Sequence, residues 1–153
     1  MKAIVVFDSK YGNCKKVAED IAGGLAEAGA EVNIIPVKGA SVGALAGYDV
    51  IAVGAPVRAG KPLKSVRKFA AAMHDVPLEG KTLGFFDTHG VAKQPGVGAG
   101  YLVLLAKEYK TGAKIVEPGL SVLVQGMKGP LEEGAMEKAR EFGKKLAEEA
   151  DKS

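Results

Sequence analysis

The sequence has no tryptophan, a single cysteine and only two histidines, and it contains no long hydrophobic run. One cysteine excludes an internal disulfide and indicates a reducing compartment. The first apolar run stops at Asp8, so no secretory signal segment is predicted. No apolar run approaches the roughly 20 residues that a membrane span requires. We therefore expect a cytoplasmic protein that inserts nothing into a membrane.

The sequence also lacks a concentration of charge. The 21 Lys and Arg residues exceed the 18 Asp and Glu residues by a net charge of +3, without a block of like charges. This mild excess indicates a solvated surface and no nucleic-acid-binding face. At 153 residues, with 47% hydrophobic and 25% charged residues, the chain has the composition of one folded domain. We predict a single domain over residues 1–150 and a disordered tail over residues 151–153.

The most informative pattern lies in residues 2–25. Residues 3–7 form an unbroken apolar run, as a buried strand requires, and residues 8–14 are small, polar and flexible. An amphipathic helix follows, with apolar residues at helical spacing: Val17, Ala18, Ile21, Ala22 and Leu25. Because a helix N-terminus favours an anion, this strand, loop and helix predict a phosphate cradle.

Within that loop, Ser9 offers a hydroxyl donor, Gly12 allows close backbone approach, and Asn13 is a candidate helix cap. Lys10, Lys15 and Lys16 place positive charge at the same helix end. Lysines in a first turn oppose the helix dipole, and a bound anion would relieve that cost. The alternative is a helix capped by Asn13 with the lysines as ordinary surface charges.

The rest of the chain repeats the alternation of strand and helix. Further strands are predicted over residues 31–37, 50–54, 82–86 and 114–124, with loops over 55–62 and 87–100 and a last helix from Gly129 and Pro130. Pro36 suggests that the second strand lies at an edge. The pattern predicts an α/β domain with five parallel strands, doubly wound, and helices on both faces. Ligands bind such sheets at the carboxyl ends of the strands.

Several other phosphate-handling classes are disfavoured. The chain lacks a Gly-Lys-Ser/Thr P-loop and a G-x-G-x-x-G motif. Cys14 at a helix start would have a lowered pKa, as a cysteine phosphatase requires. Asp20, however, occupies the position where such a site needs arginine, so a packing cysteine is the better interpretation. A phosphoacceptor domain needs an acid after the third strand, which ends in Gly54 and Ala55.

His74 and His89 lie far apart in sequence, and no metal site is predicted.

Residues 7–18, Phe-Asp-Ser-Lys-Tyr-Gly-Asn-Cys-Lys-Lys-Val-Ala, resemble the phosphate loop of the flavodoxin family, a strand followed by Thr/Ser-x-Thr-Gly-x-Thr and a helix. They look closest to the variant in A-type flavoproteins, where an acidic residue, a hydroxyl residue and an aromatic precede Gly-Asn/Ser-Thr. Residues 53–57 are similar to the family's Gly-Ser-Pro-Thr segment. Residues 84–86 and the glycine-rich stretch after them look like the segment after the family's fourth strand.

The resemblance implies a flavodoxin-like sheet of order 2-1-3-4-5 and a bound flavin mononucleotide (FMN). It also implies electron transfer with redox protein partners. No catalytic side chain is predicted, because no residue pattern carries bond-making chemistry, and the flavin would be the reactive group. The phosphate would lie on the first loop, at Ser9, Lys10, Tyr11, Gly12, Asn13 and Cys14. The flavin ring would lie between two segments, Pro56, Val57, Arg58, Ala59, Gly60 and Asp87, Thr88, His89, Gly90.

The sequence departs from the family pattern at three places. Cys14 replaces the final threonine, Ala55 replaces a serine, and Arg58 stands where an aromatic residue commonly flanks the ring. Two alternatives therefore stay open beside the electron carrier. One is a small FMN-dependent reductase of the quinone type, with a small-molecule electron acceptor. The other is a flavodoxin-fold binding module that has lost FMN.

Overall fold

The computed structural model describes residues 1–91 and 94–152. The strands in these residues are β1 (Lys2–Phe7), β2 (Glu31–Pro36), β3 (Val50–Arg58), β4 (Lys61–Pro62), β5 (Thr82–Gly90), β6 (Lys114–Ile115) and β7 (Leu120–Val124). The α-helices are α1 (Asn13–Glu27), α2 (Lys64–Ala72), α3 (Val97–Tyr109) and α4 (Ala135–Asp151). Short 3-10 helices cover Val37–Gly39, Val42–Gly47 and Met73–Asp75.

The central strands are all parallel, in the order β2-β1-β3-β5. Beyond β5, strand β6 pairs with its beginning and β7 with its end, so β6 and β7 together occupy one interrupted edge position. With these two counted as one strand, and the short β4 hairpin set aside, the predicted order 2-1-3-4-5 is confirmed. Strand β2 pairs with β1 and, in the described part of the chain, with no other strand, so Pro36 lies at an edge as predicted.

Helices cover both faces of the sheet, as the apolar strands require. Alternate residues of β1 point to opposite sides: Ala3, Val5 and Phe7 pack with α1 and α4, whereas Ile4 and Val6 pack with α2 and α3. A strand buried on both faces has no polar side, which explains its continuous apolar run. Among the described residues, none of the helices combines the length and apolar character needed to cross a bilayer.

Two of the predicted loops contain regular structure. The predicted loop 55–62 is mostly the end of β3 and a hairpin with β4, where Val57 faces Pro62 and Arg58 faces Lys61. The predicted loop 87–100 is also partly wrong, because β5 continues to Gly90 and α3 begins at Val97. Residues 92 and 93 of that loop lie outside the described residues. Both strands run on because parallel pairing between them extends to Pro56 and Thr88.

The last helix begins later than predicted. Gly129 and Pro130 precede a bridge between Val124 and Leu131, and helix α4 starts at Ala135. Before the helix begins, the chain runs back beside β7, where the backbone N–H of Leu123 donates to Glu132 Oε2 at 2.6 Å. The helix continues to Asp151, the first residue of the predicted tail, and residue 153 lies outside the described residues.

Helices α1 and α4 approach each other through glycine. A Cβ atom at Gly24 would lie 2.0 Å from the backbone oxygen of Arg140, and one at Gly143 would lie 2.2 Å from that of Ile21. Neither contact leaves room for a methyl group, because both opposing atoms belong to the backbone. The position of α1 over the sheet therefore depends on these two glycines.

We expect Gly24→Ala to destabilise the fold by about 2 kcal/mol, because the overpacking cost of up to about 3 kcal/mol exceeds the helix-propensity gain of about 1 kcal/mol. Gly23→Ala is the matched control, since its Cβ would meet nothing closer than 3.8 Å. That variant should be neutral or gain up to about 1 kcal/mol from helix propensity. Urea unfolding monitored by circular dichroism measures both. Equal effects of the two substitutions would contradict the close approach.

Candidate functional site

A cavity of about 340 Å³ opens at the carboxyl edge of the sheet, where β1, β3, β5 and β7 end. The predicted site residues that line it are Ser9, Lys10, Tyr11, Asn13, Cys14, Pro56, Val57, Arg58, Thr88, His89 and Gly90. The predicted residues that lie beside it without lining it are Gly12, Ala59, Gly60 and Asp87. The fold thus brings segments 9–14, 56–58 and 88–90 together around one space.

The loop after β1 is held by its own side chains. The backbone N–H of Ser9 donates to Asp8 Oδ1 at 2.8 Å, and Ser65 Oγ donates to Asp8 Oδ2 at 2.5 Å. The N–H of Gly12 donates to Ser9 Oγ at 3.0 Å, and Gly12 takes a φ of 92°, which favours glycine. Because Ser9 Oγ accepts from Gly12, its hydroxyl hydrogen remains able to donate to a ligand.

Helix α1 presents unpaired N–H groups to this cavity. Gly12 is the N-cap, and it contributes no side-chain cap, so the prediction that Asn13 caps the helix is wrong. Within residues 1–91 and 94–152, the N–H groups of Asn13, Cys14 and Lys15 have no hydrogen-bond acceptor. The first turn of a helix leaves such donors for a ligand, and its dipole favours an anion. Lys16 is paired with Asp20 at 2.8 Å, leaving the first turn less positive than the sequence suggested.

Cys14 is buried with 1% of its surface exposed, which confirms a packing cysteine. Its predicted lowered pKa is wrong. Burial raises the pKa of the Cys14 thiol, and the negative charges of Asp87 and Asp8 raise it further, whereas a hydrogen bond from Thr88 acts in the opposite direction. Desolvation outweighs the helix dipole because the sulfur lies inside the core. A neutral thiol is a poor nucleophile, so the structure also argues against phosphatase chemistry.

The polar end of β5 forms the buried wall of the cavity. Asp87, Thr88 and His89 are 0%, 3% and 4% exposed, where the sequence suggested a loop. His89 Nδ1 lies 2.9 Å from Ser121 Oγ and 3.2 Å from Asp87 Oδ1. The other carboxylate oxygen of Asp87 accepts from the N–H of Ala99 at 2.8 Å. These contacts tie β5 to β7 and α3, and they fix the imidazole at the cavity wall.

The β3–β4 hairpin forms the adjoining wall, because Pro56 pairs with Thr88 of β5. Pro56, Val57 and Arg58 line the cavity, and Ala59 and Gly60 make the two-residue turn beyond them. Both turn residues have positive φ, 51° and 79°, as the common two-residue hairpin turn requires. The predicted contact of Ala59 and Gly60 with a flavin ring stays a prediction, because the turn lies outside the cavity lining.

The sequence analysis missed one whole wall. Val91 follows β5, Val124 ends β7, and the segment after β7 contributes Gln125, Gly126 and Met127. The signal was available in part, because the fifth strand was predicted to end at Val124. The carboxyl end of a parallel strand beside β5 must lie at the same edge of the sheet.

We expect the free energy of unfolding to fall with rising pH above about pH 8.5, where the unfolded thiol of Cys14 ionises. The folded thiol keeps its proton because its pKa is raised, so the unfolded state binds fewer protons in this range. The decline attributable to this group is at most about 1.4 kcal/mol per pH unit. Urea unfolding from neutral to alkaline pH measures it.

The matched comparison for this experiment is Cys14→Ala, which keeps every other titrating group. The stability difference between the native protein and the variant should shrink as the pH rises. Two parallel curves over the alkaline range would contradict a raised pKa for Cys14.

Comparison with known proteins gives the family. The sequence model described as a flavodoxin domain matches residues 4–114. The type A flavoprotein fprA of Rhodobacter capsulatus is 28% identical over 152 residues, which are 95% of this chain and 32% of that protein. The chain therefore spans about a third of the length of this curated relative.

Solved structures agree over nearly the full length of the chain. A flavodoxin from the domain Archaea has a TM-score of 0.84 at 25% identity, with 99% of both chains covered. Oxidised flavodoxin 1 from Bacillus cereus has a TM-score of 0.82 at 27% identity, with 97% of this chain and 98% of that chain covered. With a family match over most of the chain and the predicted sheet order confirmed, the chain belongs to the flavodoxin family.

Proposed function

We propose that this chain binds flavin mononucleotide noncovalently in the cavity and carries electrons between redox proteins. The observation that carries the proposal is that one cavity is lined both by a helix start with free N–H groups and by the carboxyl ends of β3, β5 and β7. The helix start suits a phosphate group, and the part of the cavity at the strand ends suits a flat ring. The names of the relatives, flavodoxins and a flavoprotein, support the same cofactor.

The phosphate end fits a dianion. The N–H groups of Asn13 and Cys14 and the hydroxyl of Ser9 lie together at the start of α1, beside the cavity. Hydrogen bonds to a charged phosphate are stronger than neutral ones, so a few well-placed donors suffice. The loss of the family's last threonine leaves Cys14 with its backbone donor, while its protonated thiol packs into the core.

The ring end fits an apolar plane with a few polar contacts. Val57 and Met127 contribute apolar surface, Thr88 and His89 contribute polar groups, and the cavity volume is within the range of small-molecule sites. Tyr11 contributes an exposed aromatic ring to the cavity lining. When bound, the flavin supplies one- and two-electron chemistry, and the protein supplies binding, orientation and the surrounding charge.

The flavin would be the reactive group in a carrier and in a reductase alike, so the lining residues do not distinguish the two. The relatives that are named flavodoxins favour the carrier. Electron exchange needs only that the ring edge be reachable. Turnover of a quinone by the purified protein with a nicotinamide donor alone would assign it to the reductases instead.

Titration of the flavin-free protein with FMN, followed by quenching of flavin fluorescence, tests the cofactor. We expect saturable binding at one site per chain. We expect Gly12→Val to weaken binding by about tenfold to a hundredfold, because each displaced hydrogen bond to a charged group is worth about 1.5–3 kcal/mol. The positive φ of Gly12, 92°, disfavours a residue with a side chain, and the loop must turn away from the phosphate.

Gly29→Val is the matched control. Gly29 also has a positive φ, 96°, and a Cβ atom added there, as at Gly12, would meet nothing within 4 Å, but it lies at the far end of α1. Both variants should lose similar stability, about 1–2 kcal/mol, and only Gly12→Val should lose FMN. Unchanged FMN affinity in folded Gly12→Val would place the phosphate elsewhere, and an absence of quenching in the native protein would leave the binding module as the function.

A further inference from the structure

Four cations surround the opening of the cavity. The charged ends of Lys10, Arg58 and Lys128 each lie 5.9 Å from the centre of the Tyr11 ring, which is 40% exposed. They come from three separate segments, the loop after β1, the β3–β4 hairpin and the segment after β7. Lys61 stands directly opposite Arg58 in the hairpin. We call these four side chains the basic rim.

The basic rim has no internal counter-charge. Across residues 1–91 and 94–152, none of its four members has a carboxylate within ion-pair distance. Like charges directly opposite in a hairpin are also destabilising, and Arg58 and Lys61 are such a pair. The chain therefore keeps positive charge at this opening at some cost to stability, which an external anionic surface would relieve.

Two exposed apolar side chains lie at the same opening. Val91 is 74% exposed and Met127 is 78% exposed, and both line the cavity. Large exposed apolar groups next to a charged rim are typical of a protein contact surface. A small anion would instead need convergent, partly buried donors, whereas the basic rim is exposed and spread over three segments.

We propose that the basic rim, with Val91 and Met127, docks the acidic face of a protein electron-transfer partner and brings that partner's redox centre against the cavity. This inference rests on the proposed electron-carrier function. Encounters between redox proteins use small interfaces, and complementary charge steers them and raises their association rate. A net charge of +3 acts in the same direction over longer range.

Isothermal titration of the full chain, with and without added FMN, tests the docking surface. The probes are a purified acidic [2Fe–2S] ferredoxin and a basic cytochrome c. We expect the ferredoxin to bind at about 20 mM salt and to bind about tenfold more weakly at about 200 mM salt, because exposed charges are screened. The cytochrome c should not bind.

The double variant Lys61→Gln/Lys128→Gln removes two rim charges, and Lys2→Gln/Lys145→Gln removes two exposed lysines elsewhere, the first of them at the opposite edge of the sheet. Both variants change the net charge equally. We expect the rim variant to bind the ferredoxin about tenfold more weakly and the control variant to bind it within about twofold of the native protein.

Equal losses in the two variants, an unaffected rim variant, or no ferredoxin binding at low salt would each overturn the docking surface. The FMN titration is read separately on the same samples. A native protein that binds the ferredoxin but no FMN would refute the proposed cofactor and leave the surface standing. A native protein that binds FMN but no ferredoxin would refute the docking surface and leave the proposed cofactor standing.

Discussion

Parallel pairing of β1, β3 and β5 is the constraint on which both the core and the site depend. Parallel strands need crossover connections, and the crossing helices bury the strands on both faces. That arrangement explains why Ile51 and Val53 pack on one side of β3 and Ala52 on the other. It also places the carboxyl ends of the parallel strands at one edge, beside the start of α1. The cavity lies at that edge.

The same edge carries three of the six buried polar or charged residues in the described part of the chain, Asp87, Thr88 and His89. Asp87, His89 and Ser121 would each be costly to bury alone, since an unpaired buried polar group loses its hydration without compensation. Here each of the three side chains lies within hydrogen-bond distance of another. The N–H of Gly96 also donates to Ser121 Oγ at 2.7 Å. The network fixes the ends of β5 and β7 relative to α3. A cavity wall that is held in this way needs little rearrangement to accept a ligand.

Charge is divided between the two ends of the molecule. Where α1 packs against α4, Glu27 pairs with Arg140 and Lys144, and Glu149 pairs with Lys114. Exposed pairs of this kind add little stability, but they compensate the charges of the side chains that form them. At the opening of the cavity the cations stand without such partners. The net charge of the chain is small, yet its distribution is uneven in the place where a redox partner would approach.

Local sequence alone determined the strands and helices that bury an apolar face. The runs at β1 and β3 and the helical spacing in α1 each predict one element, because burial of that face is required wherever the element packs. It also located the first loop, whose polar and glycine residues can form a turn in isolation. The order of the strands came from the resemblance of residues 7–18, 53–57 and 84–86 to a known family.

Tertiary structure decided what depends on neighbours distant in sequence. Asp87 and His89 lie in a strand because pairing with β3 and β7 extends past the apolar residues. The pKa of Cys14 rises because the fold encloses its sulfur, which a helix start by itself does not reveal. The wall that includes Met127 follows from the place of β7 beside β5. Propensity and periodicity are local, whereas desolvation, strand extension and the meeting of loops are set by the whole fold.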